Sequence, residues 1–407
     1  MSNSLWHIRA TPLPERADRV VVGAGIAGIS ASLAFESLGL DTVVIDGRYP
    51  GWGASGRNAG FLMRGAADNY AAAVDDLGRE HAKALWTLTE NNLTRLRNLG
   101  IDQLPHYRPQ PSCLVAFDKK EAEQLERSAA LMAEDGFDVD TRRGQGEHAD
   151  ALWRYEPPRI GLVNPHDAVC DPVELLAWLC SLLKRMPIAE TTLQRIEQTD
   201  AGFAVVTSRG TIMSEQVLIC TNAYTASLLP EYARLIQPNR GQMLALDATG
   251  LPAHERLEFA YYANHGSEYF RQLDETTIIV GGWRRHFEHD ERTIENQPTV
   301  GVQQGLESFA ERILGRRLPV RHRWAGTMGF TPDHLPIAEP LASPIDASGD
   351  ASDGASPWIC AGFTGHGMSM AHELATQTAL AMSGRSEVPD LFRPGRFADK
   401  TAGRIDR

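Results

Sequence analysis

Gly23, Gly25 and Gly28 stand in the spacing GxGxxG, within Gly23-Ala24-Gly25-Ile26-Ala27-Gly28. A β-branched run, Arg19 to Val22, precedes them and a small-residue stretch to about Leu38 follows, so the glycines fall at a strand-to-helix turn. Such a turn brings a pyrophosphate against bare backbone at a helix N-terminus, where unpaired N–H groups and the helix dipole favour negative charge. Ile26 and Ala27 would open that helix. A second strand, Asp41 to Asp46, ends on a carboxylate 18 residues after Gly28. Asp46 is placed to accept hydrogen bonds from ribose hydroxyls and would repel a 2′-phosphate. Together these residues read as a dinucleotide site.

The next segment decides which dinucleotide. Where a nicotinamide-binding unit would continue into a helix, Gly47 to Phe61 (GRYPGWGASGRNAGF) carries five glycines, Gly47 and Gly56 among them. Glycine costs about 1 kcal/mol per helical position relative to alanine, so the segment is a loop. A long Gly/Ala/Ser loop suits an extended cofactor wrapped by backbone amides, which points to FAD. A second glycine-rich loop, Gly362-Phe363-Thr364-Gly365-His366-Gly367-Met368, lies between a strand (Trp358 to Ala361) and a helix reaching about Met382. Its amides could face the flavin pyrimidine edge, where reduction collects negative charge; a helix terminus contributes about 0.3–2 kcal/mol to an anion.

GAGIAG, GASGRNAGF, VCDPVELL, CTNAY, RWAG followed by TPDHLP, GFTGHGM and an amino-terminal SLWH together resemble the FAD-dependent amine and amino-acid oxidases. That family includes D-amino-acid oxidase, glycine oxidase and sarcosine oxidase, and the look is nearest to γ-glutamylputrescine oxidase-type enzymes. The resemblance spans nearly the whole chain. It implies an α+β fold, with a Rossmann-like βαβ FAD-binding domain and a second, mainly antiparallel substrate domain that roofs the flavin. The implied boundaries are 1–84, 150–224 and 322–407 for a discontinuous FAD domain, and 85–149 and 225–321 for the substrate domain. Arg48, Ser55, Arg57, Asn58 and Ala59 would line pyrophosphate and flavin, Leu193 would offer backbone to adenine, and Thr221 and Asn222 would lie beside the ADP half. Asp333 would cap a turn.

Departures from the family pattern carry information too. Gly326 stands where sarcosine-oxidase-like members attach flavin through cysteine, and Arg57 where dimethylglycine-dehydrogenase-like members use histidine, so noncovalent FAD is expected. Met328 replaces an arginine that holds the substrate carboxylate in glycine-oxidase-like members, and Ser369 roughly replaces a lysine with a similar task. Losing both anchors leans toward a small amine substrate, with an FAD-dependent amino-acid oxidase or dehydrogenase second and a flavin domain of an electron-transfer complex third. Tyr269 aligns with a tyrosine above the flavin; Arg271 and Trp283 are candidate substrate contacts, and His366 is a candidate flavin contact. The resemblance implies hydride transfer from the amine α-carbon to flavin N5 and hydrolysis of the resulting imine. Val280 falls near a lysine that promotes reaction with oxygen in sarcosine-oxidase-like members, which leaves oxygen or an electron carrier as acceptor.

Two helical patterns, 68–77 and 79–99, a strand at 112–117, a helix at 119–135, a hairpin at 203–220 and strands from 242 to 283 must position these residues. The 342–357 tract, rich in Gly, Ser, Asp and Pro, reads as an exposed loop. With 407 residues, 43% of them hydrophobic, the chain can bury two cores. A net charge of -12 argues against nucleic-acid partners and does not repel a cationic amine. Five cysteines without CxxC spacing, and an N-terminus without the pattern of a signal peptide, fit a cytoplasmic protein without membrane insertion. His286 and His289 have metal-like separation, but their charged run, WRRHFEHDER, reads as a solvated loop; no metal is expected. Arg316, Arg317, Arg321 and Arg323 read as a solvated basic face.

Overall fold

The computed structural model describes residues 11–66, 68–144, 149–341, 356–393 and 397. The SLWH segment and all but the last two residues of the 342–357 tract lie outside them. β1 (Arg16–Val22), α1 (Ile26–Ser37) and β2 (Thr42–Ile45) form the βαβ unit that the glycine spacing predicts. β1 pairs in parallel with β2 on one side and with Gly210–Ile219 on the other. Strands covered on both faces need apolar side chains throughout, and all four residues of β2, Thr-Val-Val-Ile, are buried. Gly28 lets α1 lie against the turn, because a Cβ there would stand 1.9 Å from the Gly23 carbonyl oxygen.

The first sheet runs Ile337–Pro340, Trp358–Ala361, Gly210–Ile219, β1, β2, and the antiparallel strands Gly202–Thr207 and Leu193–Thr199 extend it to seven. Helix Gly367–Met382 packs on α1 and on helix Arg79–Leu99. The second sheet has eight strands in the order Val320–Phe330, Gln237–Asp247, Thr277–Gly281, Glu268–Asp274, Ala260–Ala263, Ser112–Ala116, Ile160–Asn164, Asp140–Arg142. Its upper face packs on helix Val300–Leu314 through Leu244, Phe270, Val280 and Phe309. Its lower face carries a smaller apolar cluster, including Ala59, Phe61, Met243 and Ile279.

Strand pairing redraws the expected domain boundaries. Ile160–Asn164 and Val320–Phe330 pair in the second sheet, although most of their residues were placed with the FAD domain. Helix Arg79–Leu99, cut by the expected border at 84, belongs to the first layer: Asn92 donates to the Met368 carbonyl and accepts from Glu373 N, and Arg95 pairs with Glu373 at 2.5 Å.

Candidate active site

Between the two sheets lies a cavity of about 240 Å³. Its floor is the N-terminus of α1 and the following loop: Gly25, Ile26, Ala27, Ser55, Arg57, Asn58 and Ala59 all line it. No side chain of the N-cap residue Gly25 caps α1, and Ser55 Oγ accepts from Ile26 N at 3.1 Å. Asn58 shapes the loop by accepting from Gly60 N at 2.7 Å and donating to the Ser55 carbonyl at 2.8 Å. Arg57 donates to the carbonyls of Trp52 and Ala325 and stacks on the Trp52 ring.

Asn222 and the loop Phe363 to Met368 close one side. Asn222 Oδ1 accepts from Gly362 N and Phe363 N, which joins the two chain segments. Thr364 (φ +46°) and Gly365 (φ +82°) turn the chain into helix Gly367–Met382, whose N-terminus also lacks a side-chain cap. His366 Nδ1 lies 3.0 Å from the Thr364 carbonyl, which can only accept, so Nδ1 carries the proton. Burial pushes the imidazole pKa down to about 4, so the ring is neutral near pH 7.

The roof presents Gly241, Met243, Tyr262, Tyr269, Gly326 and Met328. Met243 and Tyr269 both pair with Gly281, and Tyr262 pairs with Tyr269, so one row crosses four strands. Gly281 is small because the Tyr269 ring covers it; a Cβ there would lie 2.3 Å from that ring. Burial raises the pKa of both tyrosines, so they remain protonated phenols.

Arg284 also lines the cavity. Its guanidinium stacks 4.7 Å from the Phe330 ring centroid and has no hydrogen bond or ion pair among the described residues. Desolvation lowers its pKa, opposed by Tyr269, Tyr262, Glu268 and Glu288. Neither Arg284 nor Tyr262 stands in a motif that marks it in the sequence. Cross-strand pairing with Tyr269 could have pointed to Tyr262, whereas Arg284 lies in the run taken for a solvated loop.

Three roof expectations need correction. Strand alternation puts residue 283 below the sheet with 279 and 281, but Gly282 (φ +119°) and Trp283 (φ +64°) reverse the chain. Trp283 packs upward on Gly305, where a Cβ would meet its indole at 1.9 Å, and Arg284 reaches the cavity instead. Arg271 is 2% exposed and lies on the lower face, yet it does not line the cavity. Its guanidinium donates to the carbonyls of Ala59 (2.8 Å) and Cys170 (3.2 Å), and burial lowers its pKa to about 10. Val280 belongs to the upper core, so it is not the roof position over the cavity.

Other expected cofactor residues lie beside the cavity and do not line it. Gly23 (φ +108°) and Gly28 form the tight turn. Asp46 accepts from Ala24 N at 2.7 Å and Arg48 N at 2.8 Å, tying the turn to the chain after β2; desolvation raises its pKa against those bonds. Arg48 stacks on Trp52, and Gly47 and Gly56 approach Thr192 and Gly51 closely. Leu193 is buried in the core of the first sheet, Thr221 Oγ1 meets Thr225 Oγ1 at 3.0 Å, and Gly362 (φ +79°) starts the closing loop. His286 stacks against Trp283 at 4.4 Å.

Two helix N-termini whose N-cap residues supply no side-chain cap converge on one cavity, α1 having Ser55 Oγ on its Ile26 amide, and a Cβ at Gly25 would come within 2.9 Å of that oxygen. Bare backbone amides of this kind fit a long anionic dinucleotide. Residues 18–380 match the family described as FAD dependent oxidoreductase. The chain belongs to that family. It is 22% identical over 398 residues to a probable oxidoreductase of Rhizobium meliloti, covering 94% of this chain and 86% of the relative. It is also 22% identical over 392 residues to the gamma-glutamylputrescine oxidoreductase of Escherichia coli, covering 92% and 85%. Among solved structures, the L-proline dehydrogenase from P. horikoshii superposes with a TM-score of 0.75 at 19% identity, over 95% of this chain and 99% of that one. The protein is therefore an FAD-dependent oxidoreductase with the expected α+β fold. Among the described residues, no helix is long and apolar enough to cross a membrane.

Proposed function

We propose that this oxidoreductase oxidises the C–N bond of an amino acid or N-substituted amino acid, with Arg284 holding the carboxylate and FAD bound noncovalently. The observation that carries the reading is Arg284 itself, a guanidinium lining the cavity with no protein anion paired to it among the described residues. A planar fork of N–H donors matches a carboxylate. Arg284 thus supplies, from a different strand end, the charge that Met328 and Ser369 do not, and this reverses the preference for a simple amine.

Bound FAD supplies a two-electron acceptor for hydride from the α-carbon, and the imine left on the substrate hydrolyses in water. The protein's own residues bind and orient. The helix N-termini at Gly25 and Gly367 would receive the cofactor's negative charge, the Tyr262 and Tyr269 rings wall the substrate space, and their phenols can donate to substrate oxygens. With the imidazole neutral near pH 7, His366 adds no positive charge beside the substrate amine. Apolar walls favour the uncharged amine, the form that can release hydride. No strong base is needed, and positioning carries the rate.

The test is anaerobic flavin bleaching by a panel of D- and L-amino acids, N-methyl amino acids and the amines related to them by loss of the carboxylate. Bleaching by the acids and not by the matched amines is expected. Bleaching by the amines alone would return the substrate to the amine class.

A further inference from the structure

A second chamber of about 40 Å³ adjoins the cavity, and Tyr262, His265, Gly266 and His366 line both. Trp86, Leu114, Leu125 and Leu162 make the inner chamber largely apolar, with Glu121 in its wall. Glu121 is 4% exposed. Its position in the helix is fixed by Asp118, which caps helix Lys119–Glu134 and accepts from Glu121 N at 2.9 Å. Glu121 Oε1 accepts from His265 N at 2.5 Å. That bond holds a turn of three consecutive left-handed residues, Asn264 (φ +52°), His265 (φ +56°) and Gly266 (φ +74°), two of them non-glycine. The other oxygen, Oε2, is buried without a hydrogen-bond partner.

The His265 imidazole lies 3.9 Å from Glu121 Oε1 and not on Oε2, and the guanidinium in the wall is committed elsewhere. Arg64 pairs with Glu90 at 2.8 Å and donates to Asn164 Oδ1 at 2.8 Å and to the Asp138 carbonyl. Asp68, which lines both cavities, adds a second acidic group. A buried carboxylate oxygen left unpaired is costly, and an ammonium group supplies the missing donors. The space suits an ammonium with its neighbouring methylene, since one water-sized group needs about 10–15 Å³ on this measure.

We infer that the inner chamber is a subsite for a cationic end of the substrate, received by Glu121 Oε2. The inference rests on the reading that the C–N bond is oxidised in the main cavity beside Arg284. With the carboxylate at Arg284, it makes the substrate class a diamino monocarboxylic acid: one nitrogen is on the carbon that is oxidised and the second, charged, lies in the inner chamber. Burial raises the Glu121 pKa, Asp118 reinforces the rise, and His265 and Arg285 oppose it. A cationic occupant stabilises the ionised carboxylate. Glu121, Asp118 and His265 also have ligand atoms within 4.8 Å of one another, so a divalent ion is the competing occupant.

The test uses the flavin-loaded enzyme and two probes without an α-hydrogen, α-methylornithine and α-methylnorvaline, which bind without turnover. Calorimetry is expected to give at least tenfold tighter binding for α-methylornithine. Glu121→Gln should remove that preference and keep the flavin content, because its remaining carbonyl oxygen can still accept from His265 N. Equal affinity for the two probes, or a preference that Glu121→Gln does not change, overturns the subsite while normal norvaline bleaching keeps the parent reading intact. A preference abolished by EDTA assigns Glu121 to a metal ion and also overturns it. If neither probe binds and no amino acid bleaches the flavin, the parent reading fails and takes the subsite with it.

Discussion

Replacing Arg284 with methionine removes the guanidinium and keeps a side chain long enough to rest on Phe330. If the substrate carboxylate receives two charge-assisted hydrogen bonds, each contributes about 1.5–3 kcal/mol. The lower end of that range is appropriate, because Arg284 is half-buried and its charge is partly screened. A loss of about 3 kcal/mol is roughly a hundredfold in Kd. The assay is anaerobic stopped-flow bleaching of the flavin across substrate concentration, which separates binding from the rate of reduction. For an amino acid, Arg284→Met should raise Kd roughly a hundredfold with a smaller effect on the limiting rate, and Arg284→Lys should recover part of the loss. For the matched amine, binding should hold or improve, since a cation has left the neighbourhood of a cationic ligand. An equal loss for acid and amine would refute the carboxylate role, and so would no loss for either.

Four further outcomes follow from the geometry. Gly28→Ala forces a Cβ to within 1.9 Å of the Gly23 carbonyl, so the variant should purify with little or no flavin absorbance; full flavin content would show that the turn can relax. Trp283→Phe should lower the melting temperature through lost packing on Gly305 and Phe309 while leaving Kd for the amino acid within about twofold, where a substrate contact would change it by more. Arg271→Met should cost about 3 kcal/mol of stability in denaturant unfolding, because two carbonyls lose a charged donor; an unchanged midpoint would show that those bonds contribute nothing. His372, like His366, has its pKa depressed by burial to about 4 from 6.5. Because the unfolded chain takes up these protons first, the stability linked to each histidine is present above pH 6.5 and is lost as pH falls toward 4. Measured against His372→Asn, the wild-type melting temperature should therefore drop over that interval; a constant gap would contradict the depressed value.

Much of the floor was legible because its chemistry is local. Gly23, Gly25 and Gly28 specify a turn by backbone geometry alone, and the five glycines between 47 and 61 leave no α-helix there, only the single 3-10 turn Ala54–Gly56. The roof depends on parity along strands, and parity fails wherever the backbone reverses. Left-handed residues at 282 and 283 exchanged the expected positions of Trp283 and Arg284, and a one-residue step separated Val280 from the lower face that Ile279 shares. Arg271 shares the lower face with Ile279, but its partners are carbonyls at 59 and 170, which no sequence pattern announces. Sheet membership is hard to read for a related reason, since the pairing of Ile160–Asn164 with Ser112–Ala116 joins segments far apart in the chain.

Arg271 also bears on how molecules enter and leave. It spans from the upper sheet to Ala59 and Cys170 beneath it, and Gly60 is packed so closely there that a Cβ would meet the Cys170 carbonyl at 1.9 Å. Lifting the sheet as a rigid lid would strip a buried charge of its acceptors at every opening. Traffic is then confined to the flanks, where Asp68, His265 and His334 border the cavity and are exposed. A covalent tie between the sheet and the 58–60 segment should leave turnover intact, whereas stiffening the turn at 264–266 should slow product release.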